Sequence, residues 1–351
     1  MAQEISTKDQ FEFVFNAFRG LQTVQVISLG LQLGMFAALE KAKGGLSAAE
    51  LAAELKLHVP YVRIWCQAAY AFNVLEMTSE DKYQIAPKLN TVLLDQEHPR
   101  YLGGFAQGFA TYLADDFQRY PDAFANGTVH PFWEHGAPFS EWVSGLTHPL
   151  QRLVVGKILP DMFGEQLKTG IHVLDVGCGT GRLIFKLAEN YPNCRFVGID
   201  ADANGINIAR KESSRLGLSS RATFRHVRGE QVKFESEFDL ALMFEVFHEL
   251  PMPERPSVLA GCYRALRPGG RLFIVDETWP EDAQQLRDPA FGMSVLVQFS
   301  ELIWGNIVST ESEQSKLLTD AGFINLKRGD IGGTFTTIMA TKPLEVPAGT
   351  D

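Results

Sequence analysis

Residues 173–183 read VLDVGCGTGRL, and the prediction of the fold rests on this stretch. An apolar segment runs into Asp175, and three glycines follow at alternate positions: Gly177, Gly179 and Gly181. This pattern predicts a buried strand followed by a loop whose backbone a ligand can approach closely. The spacing GxGxG differs from the GxGxxG of dinucleotide-binding loops, and Asp175 would repel a pyrophosphate. The loop therefore favours a ligand that carries positive charge.

Strands and helices alternate from residue 171 onward. Five segments read as strands: HVLDVG, RFVGID, TFRHVRG, FDLALMF and RLFIVDE. Helical patterns lie between them, and we expect the helix in SVLAGCYRALRPGG to end at Gly269–Gly270. Two further strands, INLKRGD and TFTTIMATK, are close enough to pair as an antiparallel edge. The prediction is an α/β fold with a doubly wound, Rossmann-like sheet of seven strands.

Carboxylates follow nearly every predicted strand. In doubly wound sheets, ligands bind beyond the carboxyl ends of the strands. The acidic residues at these ends are Asp175, Asp200, Glu230, Glu245, and Asp276 with Glu277. Such an edge suits a ligand with hydroxyls, amines or positive charge. A carboxylate at the position of Asp200 can accept hydrogen bonds from both ribose hydroxyls, a feature shared with NAD enzymes. Together these features predict S-adenosyl-L-methionine rather than a nicotinamide dinucleotide.

Several motifs resemble those of class I S-adenosylmethionine-dependent methyltransferases. They are VLDVGCGTG, VGIDAD, RGEQ, FDLALMFEVFHELP and LRPGGRLFIVDE, in this order, within about residues 165–342. The resemblance implies S-adenosyl-L-methionine as cofactor and methyl transfer as the reaction. It also implies these cofactor contacts: Asp175, Gly177 and Gly179 at the methionine end, Asp200 at the ribose, Ala201 beside the adenine, Glu230 and Gln231 at the adenine amino group, and Phe244 with Glu245 closing over the cofactor. Family members more often have Asp at the position of Glu230.

His248 is the predicted catalytic residue. It follows the fourth strand in FHELP and resembles the catalytic histidine of phenolic O-methyltransferases, where a His-Asp pair opens the same segment. Here the pair is His248-Glu249. A neutral phenol is a weak nucleophile, so a general base accelerates attack by a hydroxyl. The alternative is a packed histidine that transfers no proton, in an enzyme that works by positioning its substrates.

The N-terminal region predicts a mostly helical winged-helix domain. Ser47 and Glu50 form a capping box, Val59-Pro60 opens a second helix, and VLEMTSEDKYQIAP reads as a small hairpin. Residues 45–100 contain five Lys or Arg against seven Asp or Glu, which favours dimerisation or covering of the substrate over DNA binding. This region also resembles the dimerisation domain of small-molecule O-methyltransferases.

One N-terminal segment is uncharged. Residues 21–38 read LQTVQVISLGLQLGMFAA and are about long enough to span a bilayer. Polar residues interrupt the segment, and its apolar positions favour one side of a helix. We therefore expect a helix packed against another helix, buried between two chains of a homodimer, rather than a membrane span.

The central region is rich in aromatic residues, and some of them are expected to line an apolar acceptor pocket together with residues 291–306. The predicted domains are a winged-helix dimerisation domain over 1–100, a helical connector and substrate roof over 101–164, and a methyltransferase domain over 165–351. No metal is expected. In VHPFWEHG, His130, Glu134 and His135 lack a third well-spaced ligand and read as a turn with surface histidines.

Composition narrows the class of function. The chain has 351 residues, of which 45% are hydrophobic. Its formal net charge of -10 argues against binding of nucleic acid, whose phosphates are negative. The N-terminus shows no secretory signal, and the four cysteines have neither CxxC nor metal-ligand spacing, so a reducing cytoplasm is expected. Their positions are Cys66, Cys178, Cys194 and Cys262.

The predicted function is methyl transfer to a small, apolar or aromatic acceptor, with oxygen as the expected site of attack. Small-molecule N-, S- or C-methylation remains an alternative, because each can use the same cofactor and the same roof. A winged-helix regulator that binds DNA and uses S-adenosylmethionine as a signal is another. A nucleic-acid methyltransferase is disfavoured because the chain has no DPPY- or NPPY-like motif to hold a flipped base.

Overall fold

The computed structural model describes residues 5–78 and 81–344. The chain divides into two compact units, Met1–Gln118 and Arg119–Asp351. The division falls inside the segment 101–164 that the sequence predicts as a connector. The structure thus has two units, with a boundary that coincides neither with residue 100 nor with residue 164.

The first unit is helical and carries one small hairpin. Its helices are α1 (Thr7–Gln32), α2 (Met35–Lys41), α3 (Ala48–Leu55), α4 (Val59–Ala71), α5 (Leu89–Leu94), α6 (Gly103–Ala110) and α7 (Tyr112–Phe117). The capping box of Ser47 and Glu50 is present at the start of α3, as predicted. The antiparallel strands β1 (Leu75–Met77) and β2 (Tyr83–Ile85) follow α4, which is the order expected of a winged helix. Part of the predicted turn between them, residues 79–80, lies outside the described residues.

The uncharged segment 21–38 is not one helix, and that prediction was wrong. Helix α1 ends at Gln32, α2 begins at Met35, and the two are bent by 69°. Gly34 between them adopts a left-handed conformation with φ of 72°, which costs a glycine little. Among the described residues no single helix is long and apolar enough to cross a membrane. The bent pair α1 and α2 meets that criterion only when both are counted together, by length and composition alone.

The second unit contains the α/β sheet and nine of the helices assigned in the described residues. The helices are α8 (Tyr120–Asn126), α9 (Ala137–Leu146), α10 (His148–Leu153), α11 (Leu159–Thr169), α12 (Arg182–Asn190), α13 (Ala203–Arg215), α14 (Arg255–Ala265), α15 (Gly292–Glu301) and α16 (Glu311–Asp320). A π-helical turn, Val154–Ile158, joins α10 to α11. The strands are β3 (His172–Val176), β4 (Arg195–Asp200), β5 (Ala222–His226), β6 (Phe238–Phe244), β7 (Leu266–Asp276), β8 (Ile324–Ile331) and β9 (Phe335–Thr341).

The seven strands form one sheet in the order β5-β4-β3-β6-β7-β9-β8. The first five strands along this order are parallel, and β9 pairs antiparallel with both β7 and β8. Two separate apolar clusters cover the sheet, one centred on residues such as Leu187 and Phe273, the other on residues such as Leu259 and Ile274. The predicted doubly wound sheet with an antiparallel edge is confirmed. Its parallel strands bring their carboxyl ends to one edge.

One predicted helix end is wrong. Helix α14 ends at Ala265, and Gly269–Gly270 lies within β7 rather than after a helix. The chain leaves the helix early because Leu266 is fully buried and pairs with Phe238 of β6. Pairing with the neighbouring strand satisfies the backbone that the sequence pattern assigned to a longer helix.

Candidate cofactor and catalytic site

A cavity lies at the carboxyl ends of β3, β4 and β6. Eight of the nine residues that the sequence predicts for cofactor binding line this cavity: Asp175, Gly177, Gly179, Asp200, Ala201, Glu230, Phe244 and Glu245. The ninth, Gln231, is exposed and does not line it. The neighbouring Glu230 accepts a hydrogen bond from Arg228 Nε at 2.8 Å. The register of the parallel strands brings the eight residues together, because their side chains or loops all follow strand ends.

The glycine loop is held against the end of β4. Gly177 has a φ of 75°, and a Cβ at this position would lie 2.3 Å from Val246 Cγ2, so a larger residue does not fit. The backbone N–H of Gly179 donates to Asp200 Oδ2 at 2.7 Å. Asp200 Oδ1 accepts a second hydrogen bond from the backbone N–H of Asp202, also at 2.7 Å. Asp200 thus shapes the loop, and each of its oxygens keeps a free lone pair for a ligand.

Two carboxyl groups at the cavity each have a buried oxygen without a hydrogen-bond partner in the described part of the chain. They are Asp175 Oδ1 and Glu245 Oε1, and both residues line the cavity. Burial, followed by the charge of Asp200, raises the pKa of Asp175 to about 8. Burial and the charge of Glu277 raise the pKa of Glu245 well above its usual value. Unpaired buried carboxyl oxygens are costly, so this end of the cavity fits a ligand that carries an ammonium or sulfonium group.

The loop after β4 is tied to α9 by a contact that the sequence analysis missed. Ser140 Oγ donates to Asp202 Oδ2 at 2.6 Å, and both side chains are buried. Asp202 also caps α13, since its carboxylate accepts from the backbone N–H groups of Asn204 and Gly205 at 2.9 Å. The motif VGIDAD contains Asp202, but no local signal in the sequence points to Ser140, which lies 62 residues earlier.

His248 is buried and lies between three carboxylates from two parts of the chain. Its Nδ1 is 2.7 Å from Asp276 Oδ1 and 3.3 Å from Glu277 Oε2. Its Nε2 is 3.2 Å from Glu301 Oε2. Asp276 also fixes the backbone, because its Oδ2 accepts from the N–H groups of Phe247 and His248. The ring is therefore held in one orientation, with its Nε2 directed at Glu301.

The charges around His248 decide its protonation. Burial alone would lower the pKa of His248, but the charges of Asp276 and Glu277 outweigh it and raise this pKa well above its usual value. Glu277 is itself buried, which raises its pKa to about 8. With carboxylates on both ring nitrogens, the arrangement favours an imidazolium that donates from Nδ1 and from Nε2.

Glu301 is a residue that the sequence analysis missed. It ends α15, 53 residues after His248, and its side chain is 20% exposed. Asn306 Nδ2 donates to Glu301 Oε2 at 2.9 Å and so holds the carboxylate beside the ring. The predicted acceptor segment 291–306 contains both Glu301 and Asn306, but its apolar composition gives no signal for a charged contact with the base.

His248, Asp276 and Glu277 bring their ligand atoms within 4.8 Å of one another, a separation that a metal ion could bridge. The oxygens of Asp276 already accept hydrogen bonds from the backbone and from the ring of His248. The contacts therefore fit a carboxylate that orients a histidine.

The sheet order, the glycine loop at its carboxyl edge and the acidic cavity define the class I methyltransferase fold. Residues 173–270 match the family model described as a methyltransferase domain. Residues 173–270 thus form a methyltransferase domain, and the predicted class I methyltransferase fold, the methyl-transfer reaction and the cofactor S-adenosylmethionine are confirmed. The residue-level roles at the site remain predictions.

Proteins with similar sequences or structures agree with this class. An O-methyltransferase of Pyrenophora dematioidea is 27% identical over 232 residues, which cover 64% of this chain and 80% of that protein. An O-methyltransferase of Penicillium expansum is 31% identical over 173 residues, which cover 48% of this chain and 59% of that protein. The crystal structure of human N-acetylserotonin methyltransferase with S-adenosylmethionine aligns over 98% of this chain and 100% of that chain. Its TM-score is 0.75 at 17% identity, so this likeness concerns the fold alone.

Proposed function

We propose that this methyltransferase transfers a methyl group to a hydroxyl oxygen of a small, apolar or aromatic acceptor. The observation that carries this proposal is the buried His248, held by Asp276 at Nδ1 and directed at Glu301 through Nε2. An oriented histidine of this kind is needed when the acceptor must lose a proton, as a hydroxyl must. Similar proteins that are named O-methyltransferases support the same choice.

The cofactor would be held by residues already assembled at the strand ends. S-adenosylmethionine, when bound, supplies an electrophilic methyl group. Asp175 and Glu245 would pair with its positively charged methionine end, since each has a buried oxygen without a hydrogen-bond partner among the described residues. The backbone of Gly177 and Gly179 would allow close approach to that end. Asp200 would accept hydrogen bonds from ribose hydroxyls.

The remaining contacts concern the adenine end. Ala201 would lie beside the adenine and Glu230 would face its amino group, whereas the exposed Gln231 does not line the cavity. Phe244 would close the cavity from the end of β6. The carboxylate of Glu230 is paired with Arg228, whose guanidinium also contacts Glu254 at 2.9 Å.

His248 would act as the general base through Nε2. In the structure both ring nitrogens face carboxylates, so Nε2 must lose its proton before it can accept one from the acceptor. Glu301 can take this proton, because its Oε2 lies 3.2 Å from Nε2 and its side chain is 20% exposed to solvent. The acceptor hydroxyl would then bind where Glu301 now meets the ring. Asp276 would keep the other ring proton on Nδ1 throughout.

The aromatic residues at the cavity suggest an apolar or aromatic acceptor. Phe132, Trp133 and Trp304 line the cavity, in agreement with the expectation that residues 101–164 and 291–306 supply the acceptor pocket. Rings of this kind favour a flat, apolar molecule. Attack by nitrogen, sulfur or carbon is the competing possibility, and it would not need the base.

We also propose a cytoplasmic homodimer formed through a winged-helix domain. Phe11, Phe15 and Phe18 lie at helical spacing on α1 and are 66%, 58% and 62% exposed in the single chain. An apolar stripe of this size on a helix is usually covered by a partner. The low basic content of residues 45–100 supports a second copy of this chain over DNA as the partner.

Turnover tests the proposed reaction. Purified protein is incubated with S-adenosylmethionine and sets of phenols, amines and thiols, and S-adenosylhomocysteine is quantified. His248→Ala should lower kcat on a phenol by about 10²–10⁴-fold, and binding of S-adenosylhomocysteine should stay nearly unchanged. His248→Asn, which can still donate to Asp276, is the matched variant for loss of packing. Near-normal turnover in both variants, or joint loss of cofactor binding and stability, would contradict the role of base.

A further inference from the structure

A second cleft, of about 720 Å³, is lined by residues of α9, α10, α12 and α13. Three of its residues are cationic and sit on two neighbouring helices, Arg182 and Lys186 on α12 and Lys211 on α13. The methyl transfer proposed above does not use this cleft. The titratable and charged residues of its lining are Glu141, His148, Arg182, Lys186, Lys211 and Glu212.

His148 lies between two positive groups. Its Nδ1 is 3.5 Å from Arg182 Nη1, and its Nε2 is 3.3 Å from Lys186 Nζ. Burial, followed by the charges of Lys186 and Arg182, lowers the pKa of His148 to about 4, so the ring is neutral at pH 7. A neutral imidazole has one N–H and one lone pair and can accept from only one of the two cations. The other cation therefore faces a ring N–H, and the ring offers it no acceptor.

In the described part of the chain no carboxylate forms an ion pair with these two cations, and the charges of Glu189 and Glu212 act on them only at longer range. Within residues 5–78 and 81–344, neither Arg182 nor Lys186 forms an ion pair with an acidic side chain at 4.0 Å or less. Lys186 is half-buried, and burial together with the charges of Arg152 and Arg182 lowers its pKa to about 8. A half-buried lysine beside an arginine is costly unless a negative charge joins them.

The two acidic residues of the lining, Glu141 and Glu212, do not pair with Arg182 or Lys186. Glu212 is bound to Arg215 through contacts of 2.6 and 2.7 Å, one turn away on the same helix. Glu141 is exposed on α9. At the inner end of the cleft, where His148 meets α12, no acidic residue of the described lining therefore forms an ion pair with Arg182 or Lys186.

We propose that this cleft binds a small phosphate-bearing molecule through Arg182, Lys186 and Lys211. A phosphate has several acceptor oxygens and up to two negative charges, so it can accept from an arginine fork and from two lysines at once. It would give a negative partner to the cation that faces the ring N–H of His148, and it would separate two like charges. A monocarboxylate has one charge and two oxygens and satisfies fewer of these groups.

The proposed site adjoins the cofactor cavity without being part of it. Thr180 and Arg182 line both spaces, and α12 begins directly after the glycine loop. The carboxylate of the cofactor is thus a second anion that could reach Arg182. Lys186 and Lys211 line only the cleft, which makes them the residues that separate the two explanations.

Titration with inorganic phosphate tests the proposal. Isothermal titration calorimetry of the full chain at constant ionic strength should show one saturable phosphate site. Loss of one charge-assisted contact in Lys186→Met or Lys211→Met should weaken phosphate binding by about tenfold. Lys186→Arg, which keeps the charge, should retain most of the affinity. Lys316→Met, a lysine paired with Asp320 on α16, is the control and should bind phosphate like the unchanged protein.

Three further arms decide the nature of the ligand. Protein saturated with S-adenosylhomocysteine should still bind phosphate, and acetate should bind at least about tenfold more weakly than phosphate. In NMR titrations, phosphate should raise the pKa of His148 by adding a negative charge beside Arg182 and Lys186; the signal is assigned with His148→Gln. No saturable phosphate binding, equal binding by the Lys186→Met and Lys211→Met variants, displacement by S-adenosylhomocysteine or equal affinity for acetate would each overturn the proposal. None of these outcomes bears on methyl transfer.

Discussion

Asp175→Asn should stabilise the cofactor-free protein near pH 7–8 and at the same time weaken cofactor binding. Burial, followed by the charge of Asp200, raises the pKa of Asp175 from 3.8 to about 8. The folded chain therefore holds a proton at pH 7 that the unfolded chain has released. At about 1.4 kcal/mol per pH unit between 3.8 and 7, this difference lowers the free energy of unfolding by about 4 kcal/mol.

The sign of the effect depends on pH. Because the folded pKa is raised, the stability that Asp175 contributes is greatest below pH 3.8, falls as the pH rises, and levels off above about pH 8. Asparagine does not ionise, so the stability of the variant does not fall with pH for this reason. Its amide leaves buried donors unpaired, which costs about 1–3 kcal/mol. The net gain should be about 1–3 kcal/mol at pH 7 and should disappear or reverse at pH 4.

Cofactor binding should respond in the opposite direction. Loss of the pairing between Asp175 and a cationic ligand group should weaken binding of S-adenosylhomocysteine by about 1.5–3 kcal/mol, or about 10–150-fold. In the unchanged protein, affinity should rise between pH 6 and 8 and binding should release a proton, because the cation favours ionised Asp175. The variant should show neither effect.

The free energy of unfolding is measured by denaturant unfolding at pH 4 and pH 7. The affinity and the proton release are measured by calorimetric titrations in buffers of different ionisation enthalpy. Asp161→Asn is the control, because Asp161 is an exposed carboxylate on α11 and the change in formal charge is the same. The reasoning is refuted if Asp175→Asn lowers stability at pH 7, or if it binds S-adenosylhomocysteine as tightly as the unchanged protein does.

Three further predictions follow from the site and from α1. Glu301→Gln should lower the pKa of His248 and move the inflection of kcat to lower pH, because an opposite charge at such distances shifts a pKa by about 1–3 units; an unchanged pH profile would show that Glu301 does not act on the base. Asp200→Ala should weaken binding of S-adenosylhomocysteine by about 1.5–3 kcal/mol, since it removes hydrogen bonds to the ribose and the acceptor that holds Gly179. If calorimetric titration gives the variant and the unchanged protein the same affinity, this prediction is contradicted. Phe15→Glu should convert a dimer into a monomer in light scattering, and a monomer before the substitution would contradict the proposed assembly.

The sequence alone determined the architecture and the edge of the sheet at which we propose that the cofactor binds. Strand patterns of period two, helices between them and the GxGxG loop depend on local physics, since each element is defined by neighbouring residues. The carboxyl ends of parallel strands lie at one edge of the sheet, where ligands bind. The positions of Asp175, Asp200 and Glu245 after predicted strands therefore place all three at that edge. These inferences needed no contact between distant parts of the chain.

Only the tertiary structure decided how the charges meet. Glu301, the last residue of α15, contacts His248 across 53 residues of chain, and no spacing in the sequence encodes that approach. The break at Gly34 and the early end of α14 were also missed, because packing of neighbouring residues overrides a periodic pattern. The position of His148 against α12 depends on the same kind of long-range packing. Where a charge is buried, and beside which other charge, is set by the assembled core and cannot be read from the order of residues.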